Sequence, residues 1–249
     1  MMNRVLLIAS LAASLAACGS TSSSTTNDLA VAPDLSVLPD LTPVPTITVT
    51  GHVVDLTKNM PIEGVKACSL PGGTNCNTTG ADGAYTLKVP AAGQFAVQFS
   101  KDQFLTGIQE STAAGKDLTL DFILTDVGNA GLLAALLSAD ITKGIAAVTA
   151  VGLDGKGVAG VTFTFSPSTT AAQGPFYFNA GVPDKKAMST DSAGRAIAVN
   201  LDSADYQVSA AVTGKVCGPF PDRAWAASQT AAKLTGVAGS LVSVIMICM

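Results

Sequence analysis

Thr79-Gly-Ala-Asp-Gly83-Ala-Tyr-Thr-Leu87 is echoed further along the chain by Thr190-Asp-Ser-Ala-Gly194-Arg-Ala-Ile-Ala198. Each stretch sets a threonine four residues before a glycine, and each glycine opens an apolar run. The echo extends both ways. Phe95-Ala-Val97 starts 12 residues after Gly83, and Tyr206-Gln-Val208 starts 12 after Gly194; upstream, Glu63-Gly64-Val65 is answered by Ala159-Gly160-Val161. A glycine before an alternating run marks a tight hairpin, because it takes positive φ without strain. Two such hairpins in matched surroundings imply two copies of one β unit.

The first copy reads as short strands divided by turns. Ile47, Val49, Gly51 and Val53 alternate with Thr48, Thr50 and His52, the period-two signature of a half-buried strand. Thr57-Lys-Asn-Met-Pro61 is a turn, and Gly64-Val65-Lys-Ala67 opens the next strand. Tyr85, Leu87 and Val89 alternate out of the Asp82-Gly83 hairpin. Phe95, Val97 and Phe99 follow the Pro90-Ala-Ala-Gly93 turn, and Leu118, Leu120, Phe122 and Leu124 form the last strand. Turn signals at this spacing predict an antiparallel sandwich. The order Gly51-x-Val53-x-Asp55, Pro61-Ile-Glu-Gly64-Val65, Asp82-Gly83-x-Tyr85-x-Leu87 and Gly93-x-Phe95-x-Val97 resembles the carboxypeptidase regulatory-like domain, over residues 47–125. That resemblance implies a transthyretin-like (prealbumin-like) β-sandwich used as a stalk, accessory or adhesion module, and it transfers no active site.

The second copy is more decorated. Asn129 is placed to cap a short helix that buries Leu132, Leu133, Leu136 and Leu137, spaced for one helical face. Strands follow around Ile145–Val151, Val161–Phe165, Ile197–Leu201 and Tyr206–Val212. Gly64 to Gly83 is 19 residues and Gly160 to Gly194 is 34, so this copy carries 15 extra in one loop. Ile197, Val199 and Leu201 also run one place out of phase with Tyr85, Leu87 and Val89, which indicates a bulge or altered register. Leu241 to Cys248 is almost wholly apolar and far too short to cross a bilayer as a helix, so it reads as a strand buried on both faces. The expectation is an all-β chain of two tandem antiparallel β-sandwich domains, transthyretin-like or Ig-like, at 47–126 and 127–249. A short helix opens the second, and the two share no strand.

Residues 1–17 carry one charge, Arg4, and then an apolar run from Val5 to Ala17, the length of a signal-peptide core. Leu15-Ala-Ala17-Cys18-Gly19 resembles the lipobox of bacterial lipoproteins, whose small residues let the peptidase grip extended backbone. The resemblance implies a lipid on Cys18 as the first mature residue and, with Gly19 after it, anchoring in the outer membrane on the periplasmic or cell-surface side. Residues 18–46 then read as a tether. A Ser/Thr/Gly run leads into Pro33-Asp-Leu35, Pro39-Asp-Leu41 and Pro43-Val-Pro45, with too little apolar surface to offset the entropy of ordering.

Charged residues are only 13 % of the chain, the profile of a β-rich exported protein. Without Arg4 there are 13 basic and 18 acidic side chains and no basic cluster beyond Lys185-Lys186, which argues against a nucleic-acid partner. Lipidation of Cys18 leaves four cysteines, an even number that favours disulfides in an exported chain. Three connectivities are open. Pairing within copies, Cys68 with Cys76 and Cys217 with Cys248, lets each sandwich close independently, and Pro71-Gly-Gly73 can turn the chain between the first pair. A free buried thiol at Cys248 is the alternative.

Chemistry-bearing patterns are sparse. Gly155-x-Gly157-x-x-Gly160 has the spacing of a dinucleotide loop, but the alternating Val161-Thr-Phe-Thr-Phe165 after it reads as a strand where that loop needs a helix. His52 is the single histidine; it lies on the Thr48/Thr50 side, facing solvent, and supports no serine-hydrolase triad. The cysteines lack paired C-x-x-C spacing for zinc. Asp82, Asp154 and Asp191 stand beside turns without an EF-hand frame for calcium. No cofactor and no metal is implied. Phe176, Tyr177 and Phe178 with Trp225 supply four of the 13 aromatics and are the candidate ligand contacts, since aromatic faces on loops grip sugars and peptides. The competing reading, which we prefer, makes Phe176 and Phe178 an additional core strand with Tyr177 outside. The function expected is a non-catalytic, lipid-anchored envelope protein for adhesion, scaffolding or ligand presentation. Its alternative is an accessory carbohydrate- or peptide-binding lipoprotein serving an enzyme or transporter, and exposure of Tyr177 and Trp225 tells the two apart.

Overall fold

The computed structural model describes residues 44–170 and 173–249. The expected signal peptide, the expected lipidation site Cys18 and the expected tether up to residue 43 lie outside the described residues. In chain order the first half forms β1 (Thr46–Asp55), β2 (Lys66–Leu70), β3 (Cys76–Thr78), β4 (Ala84–Pro90), β5 (Ala92–Ser100), β6 (Thr106–Ala114), β7 (Leu118–Thr119) and β8 (Phe122–Leu124). Helix α1 (Val127–Leu137) follows. Then come β9 (Gly144–Val151), β10 (Thr162–Ser166), β11 (Phe176–Asn179), β12 (Val182–Asp184), β13 (Arg195–Leu201), β14 (Asp205–Ala211), β15 (Cys217–Pro219), β16 (Trp225–Ala226), β17 (Ala231–Thr235) and β18 (Ser240–Cys248).

The repeated threonine and glycine close the same clasp twice. The buried Thr79 hydroxyl accepts from the Val65 N–H at 2.9 Å and donates to the Ile62 carbonyl at 2.6 Å. Thr190 accepts from the Val161 N–H at 3.0 Å and donates to the Val158 carbonyl at 2.7 Å. Main-chain bonds repeat as well: Gly64 N–H donates to the Thr79 carbonyl at 2.9 Å, and Gly160 N–H to the Thr190 carbonyl at 2.8 Å. Gly83 and Gly194, at φ 75° and 70°, each offer a carbonyl to the neighbouring strand, to the Val53 and Ala150 N–H groups. A Cβ on Gly83 would fall 2.6 Å from the Val53 carbonyl oxygen, and one on Gly194 would fall 2.1 Å from that of Ala150. Glycine is therefore needed for contact as well as for φ.

One sheet runs through both halves in the order β12-β11-β13-β9-β18-β6-β5-β2-β3, with β15 pairing the end of β18. Phe95, Val97 and Phe99 of β5 point to one face, where β4, β1, β7 and β8 cover them and build a core with Val49, Val53, Leu87 and Leu120. Ladder register fixes the opposite face. Phe99 lies across from Gly107 and Gly107 across from Leu241, so Val242 points away from the first core. There Val242, Val244 and Met246 pack under a second small sheet, β10-β14-β17-β16, with Phe163, Phe165, Val208 and Leu234. The all-β sandwich with one short helix is thus present, with its small sheets on opposite faces of a common layer.

The expectation that the copies share no strand does not hold. β18 pairs with β9 over 241–247 and with β6 over 240–243, parallel to both. β1 is likewise parallel to β7 and β8, so the ladders are not antiparallel throughout. Past Ser243, β15 takes the side of β18 that β6 leaves, and Cys217 sits directly across from Cys248. Both disulfides follow the within-copy pairing, and Cys68 and Cys76 also face one another, across β2 and β3. Ile197 and Val199 run out of phase with Tyr85 and Leu87 because β13 is covered on both faces, with Ala196 and Ala198 in one core and Ile197 and Val199 in another; its register against β9 shifts only further on, between Ala198 and Leu201, where Asn200 takes φ 56°.

Removing a hydroxyl from a clasp strands a buried N–H and a buried carbonyl, which costs about 1–3 kcal/mol. Thr79→Val and Thr190→Val should each lower unfolding stability by about that amount in a urea titration, with Thr→Ser costing less at either site. The shared strand makes a stronger demand. Val244 is fully buried in β18, and Val244→Asp should abolish amide protection in β5 and β6 as well as in β9 and β13 by hydrogen exchange. Retained protection in β5 and β6 would show that the first half stands alone.

Candidate functional site

Helix α1 starts at Asp126, whose carboxylate caps it by accepting the Asn129 N–H at 2.9 Å. Asn129 is therefore not the cap; its side-chain amide returns a bond to the other carboxylate oxygen. The Asn129 N–H is the main reason the Asp126 carboxyl is held below its ordinary pKa. Nor do the four leucines share one buried face. Leu137 is buried and Leu133 half-buried against Ile145, Ile197 and Val199, whereas Leu132 and Leu136 are 66 % and 54 % exposed. Pairs four apart stack along a helix, so covering the 133/137 stripe leaves the 132/136 stripe uncovered.

That uncovered stripe forms one wall of a groove of about 620 Å³. The outer strand β8 supplies another wall, with Ile123 52 % exposed, and the β11–β12 hairpin contributes Val182. Ala147 and Ile245 line it from the shared sheet. Arg195 of β13 is the only cationic side chain lining the groove among the described residues. Its guanidinium carbon lies 5.0 Å from the Phe178 ring centroid, and its Nε is buried with no acceptor among the described residues. The one carboxylate lining the groove, Asp121, is already engaged by His52, through Nδ1 at 3.5 Å and the backbone N–H at 2.9 Å.

The sequence-flagged aromatics take different places. Strand β11 threads between two cores: Phe176 packs with Ile145, Ile197 and Val199, while Tyr177 is buried beside Phe163, whose N–H donates to the Tyr177 hydroxyl at 2.9 Å. Tyr177 is thus not outside, because the strand is covered on both faces. Burial pushes its hydroxyl pKa up, against the Phe163 N–H, which lowers it. Phe178 alone of the three lines the groove. Trp225 is half-buried and donates its Nε1–H to the Phe95 carbonyl at 2.7 Å, pinning β16 to β5. His52 has a 59 % exposed side chain, as its strand position implies. Asp82, Asp154 and Asp191 each accept the N–H two residues on, at 3.0, 3.1 and 3.0 Å, which is turn chemistry. The glycines at 155–160 lead into β10, a strand.

Glu110 of β6 carries no sequence signal and is almost fully buried. Oε1 accepts the Thr235 N–H at 3.1 Å, and Oε2 has no partner among the described residues. Burial is the main force on its carboxyl, opposed by the Thr235 bond and Lys233 and reinforced by Asp205, and together they push its pKa from 4.5 up to about 8.

No family model matches the chain, and no curated protein matches it either. Among solved structures it is similar to a minor pilin of Streptococcus agalactiae, at 16 % identity over 81 % of this chain and 95 % of that one, TM-score 0.29. The shaft pilin SpaA of Lactobacillus rhamnosus GG matches at 10 % identity over 82 % and 98 %, TM-score 0.27. A type II cohesin–X-dockerin complex from Acetivibrio cellulolyticus matches at 22 % identity over 31 % of this chain, TM-score 0.27, and only 56 % of that chain is spanned. TM-scores this low do not bear on function.

The Glu110 pKa gives a signed expectation. Between its ordinary 4.5 and the folded value of about 8, the folded chain holds a proton that the unfolded chain releases. The stability tied to this group is complete below about pH 4.5, falls as pH rises, and is fully lost above about pH 8. Glu110→Gln should flatten that slope, as read from urea midpoints at a series of pH values; an unchanged slope would show that Glu110 ionises freely in the fold.

Proposed function

We propose that the chain is a non-catalytic, lipid-anchored envelope module, a firm β body for adhesion or scaffolding held to the outer membrane through Cys18 and its tether. The observation that supports this reading is the burial of Tyr177. Gripping a sugar or peptide on aromatic rings needs open ring faces. Tyr177 is buried and offers none; Trp225 is half-buried, with its N–H held by the Phe95 carbonyl and the Lys233 ammonium 5.8 Å from its ring centroid. Other buried polar side chains are engaged in holding the fold: Thr79 and Thr190 in the clasps, and the Gln109 amide on the Glu110, Arg223 and Ser243 carbonyls. The resemblance of residues 47–125 to carboxypeptidase regulatory-like domains supports the same reading, since that family supplies stalks and adhesion modules. The accessory-binding alternative is confined to the groove, where Phe178 meets apolar walls; an envelope protein or a peptide is the partner such walls suit.

Cys18→Ser tests the anchor. The variant should move from the membrane pellet to the soluble fraction with an unchanged circular-dichroism spectrum. A variant that still pellets with membranes after a salt wash would remove lipidation from the reading.

A further inference from the structure

Leu132, Leu136, Ile123 and Val182 stand open together in the groove, each more than half exposed. Exposed apolar patches of this kind mark places that a partner or a ligand covers. The volume of about 620 Å³ lies within the roughly 300–1,000 Å³ of small-molecule sites. Apolar walls alone suit a protein, a peptide or a lipid. The floor decides between them.

That floor is a row of side chains across the shared sheet. Arg195 faces Thr149 and Thr149 faces Ile245 across their ladders, and Phe178 flanks Arg195 on its other side. These positions belong to β13, β9 and β18, which lie inside the sheet order. Their N–H and C=O groups are spent on neighbouring strands. A peptide laid along them would bury backbone donors and acceptors with nothing to meet them, a cost that a hydrocarbon chain does not carry.

The charge left open is positive. Arg195 is half-buried, its Nε lacks an acceptor, and its guanidinium enters no ion pair among the described residues. Asp121, the carboxylate of the groove, is already held by His52. A guanidinium set among apolar walls calls for a carboxylate, which it meets with charge-assisted hydrogen bonds. One hydrocarbon chain bearing one carboxylate leaves neither the walls nor the cation unanswered.

We propose that the groove binds a single-chain carboxylic amphiphile of the fatty-acid class, its carboxylate on the Arg195 guanidinium and its chain between the Leu132/Leu136 stripe of α1 and Ile123 of β8. The open apolar walls and the unpaired Arg195 carry this assignment. It goes beyond the scaffold reading and holds whether or not Cys18 is lipidated.

The test uses the chain from residue 18 onward with Cys18→Ser, and dodecanoate below its micelle concentration as the probe. The Ile123, Leu132 and Leu136 methyl NMR signals should shift saturably, while those of Leu153 and Val216, exposed elsewhere, stay in place. Calorimetry should find decanoate, two methylenes shorter, about tenfold weaker. Dodecanol, which keeps the chain and loses the charge, should also bind about tenfold more weakly. Arg195→Gln should weaken dodecanoate by the same factor and leave dodecanol unchanged, and Leu132→Asp/Leu136→Asp, on the open stripe, should abolish both. Absent binding, or shifts spread evenly over all exposed leucines and valines as in general detergent action, would overturn the proposal. Equal affinity for dodecanoate and dodecanol would do the same by removing the Arg195 contact. A dimer in sedimentation that the double leucine variant breaks, with no dodecanoate bound, would give the groove to a second copy instead.

Discussion

Strand β18 is the constraint on which the body depends. It arrives from the C-terminal end and pairs with β9 on one side and β6 on the other, so the last residues of the chain hold its two halves in one layer. Where β6 falls away, β15 and the Cys217–Cys248 bridge continue the pairing. Polar side chains of the first half complete the join by reaching carbonyls of the second: Gln109 to Arg223, Thr112 to Ala224, Ser111 to Asp222. Parallel pairing between segments this far apart in sequence needs most of the chain in place before it forms. The ladders of β18 are therefore long-range closures, whereas β5 with β6 and β2 with β5 in the same layer are local pairs.

The clasps show what was kept between copies and what was free to change. Threonine hydroxyl, flanking glycine carbonyl and the two strands they tie have the same partners in both. Length between them was free. The additional residues between Gly160 and Gly194 include β11 and β12, which extend the shared sheet at its far edge and supply one margin of the groove.

Much of this was legible in the sequence, for physical reasons. Strands with one wet face, such as β1 and β4, alternate with period two. The cysteine pairing followed from each half owning two thiols and a turn between one pair. β6 was not legible, because Gln109, Glu110 and Ser111 are all buried and satisfy or strain their polarity in partners far along the chain. Tyr177 misled for a related reason: a strand covered on both faces has no outside, and its second cover comes from another sheet. The leucines of α1 looked like one buried face, since spacing alone does not say how wide a strip the sheet covers. Of the groove residues, only Phe178 among the flagged aromatics and the leucines of α1 carried a signal, and Arg195 was visible only as part of a hairpin.

The position of β1 has a mechanical consequence. The chain leaves the body at residue 44, directly ahead of β1, so a pull on the N-terminal segment is delivered to that strand. β1 is hydrogen-bonded to β4 on one side, from Thr46 to His52, and to β7 and β8 on the other. A load directed along its axis acts in shear, and these bonds must fail together. A load turned back across the sheet opens the same ladder one bond at a time, from Thr46 onward. The direction in which the segment leaves Val44 thus sets whether the body resists traction as a clamp or yields as a zipper.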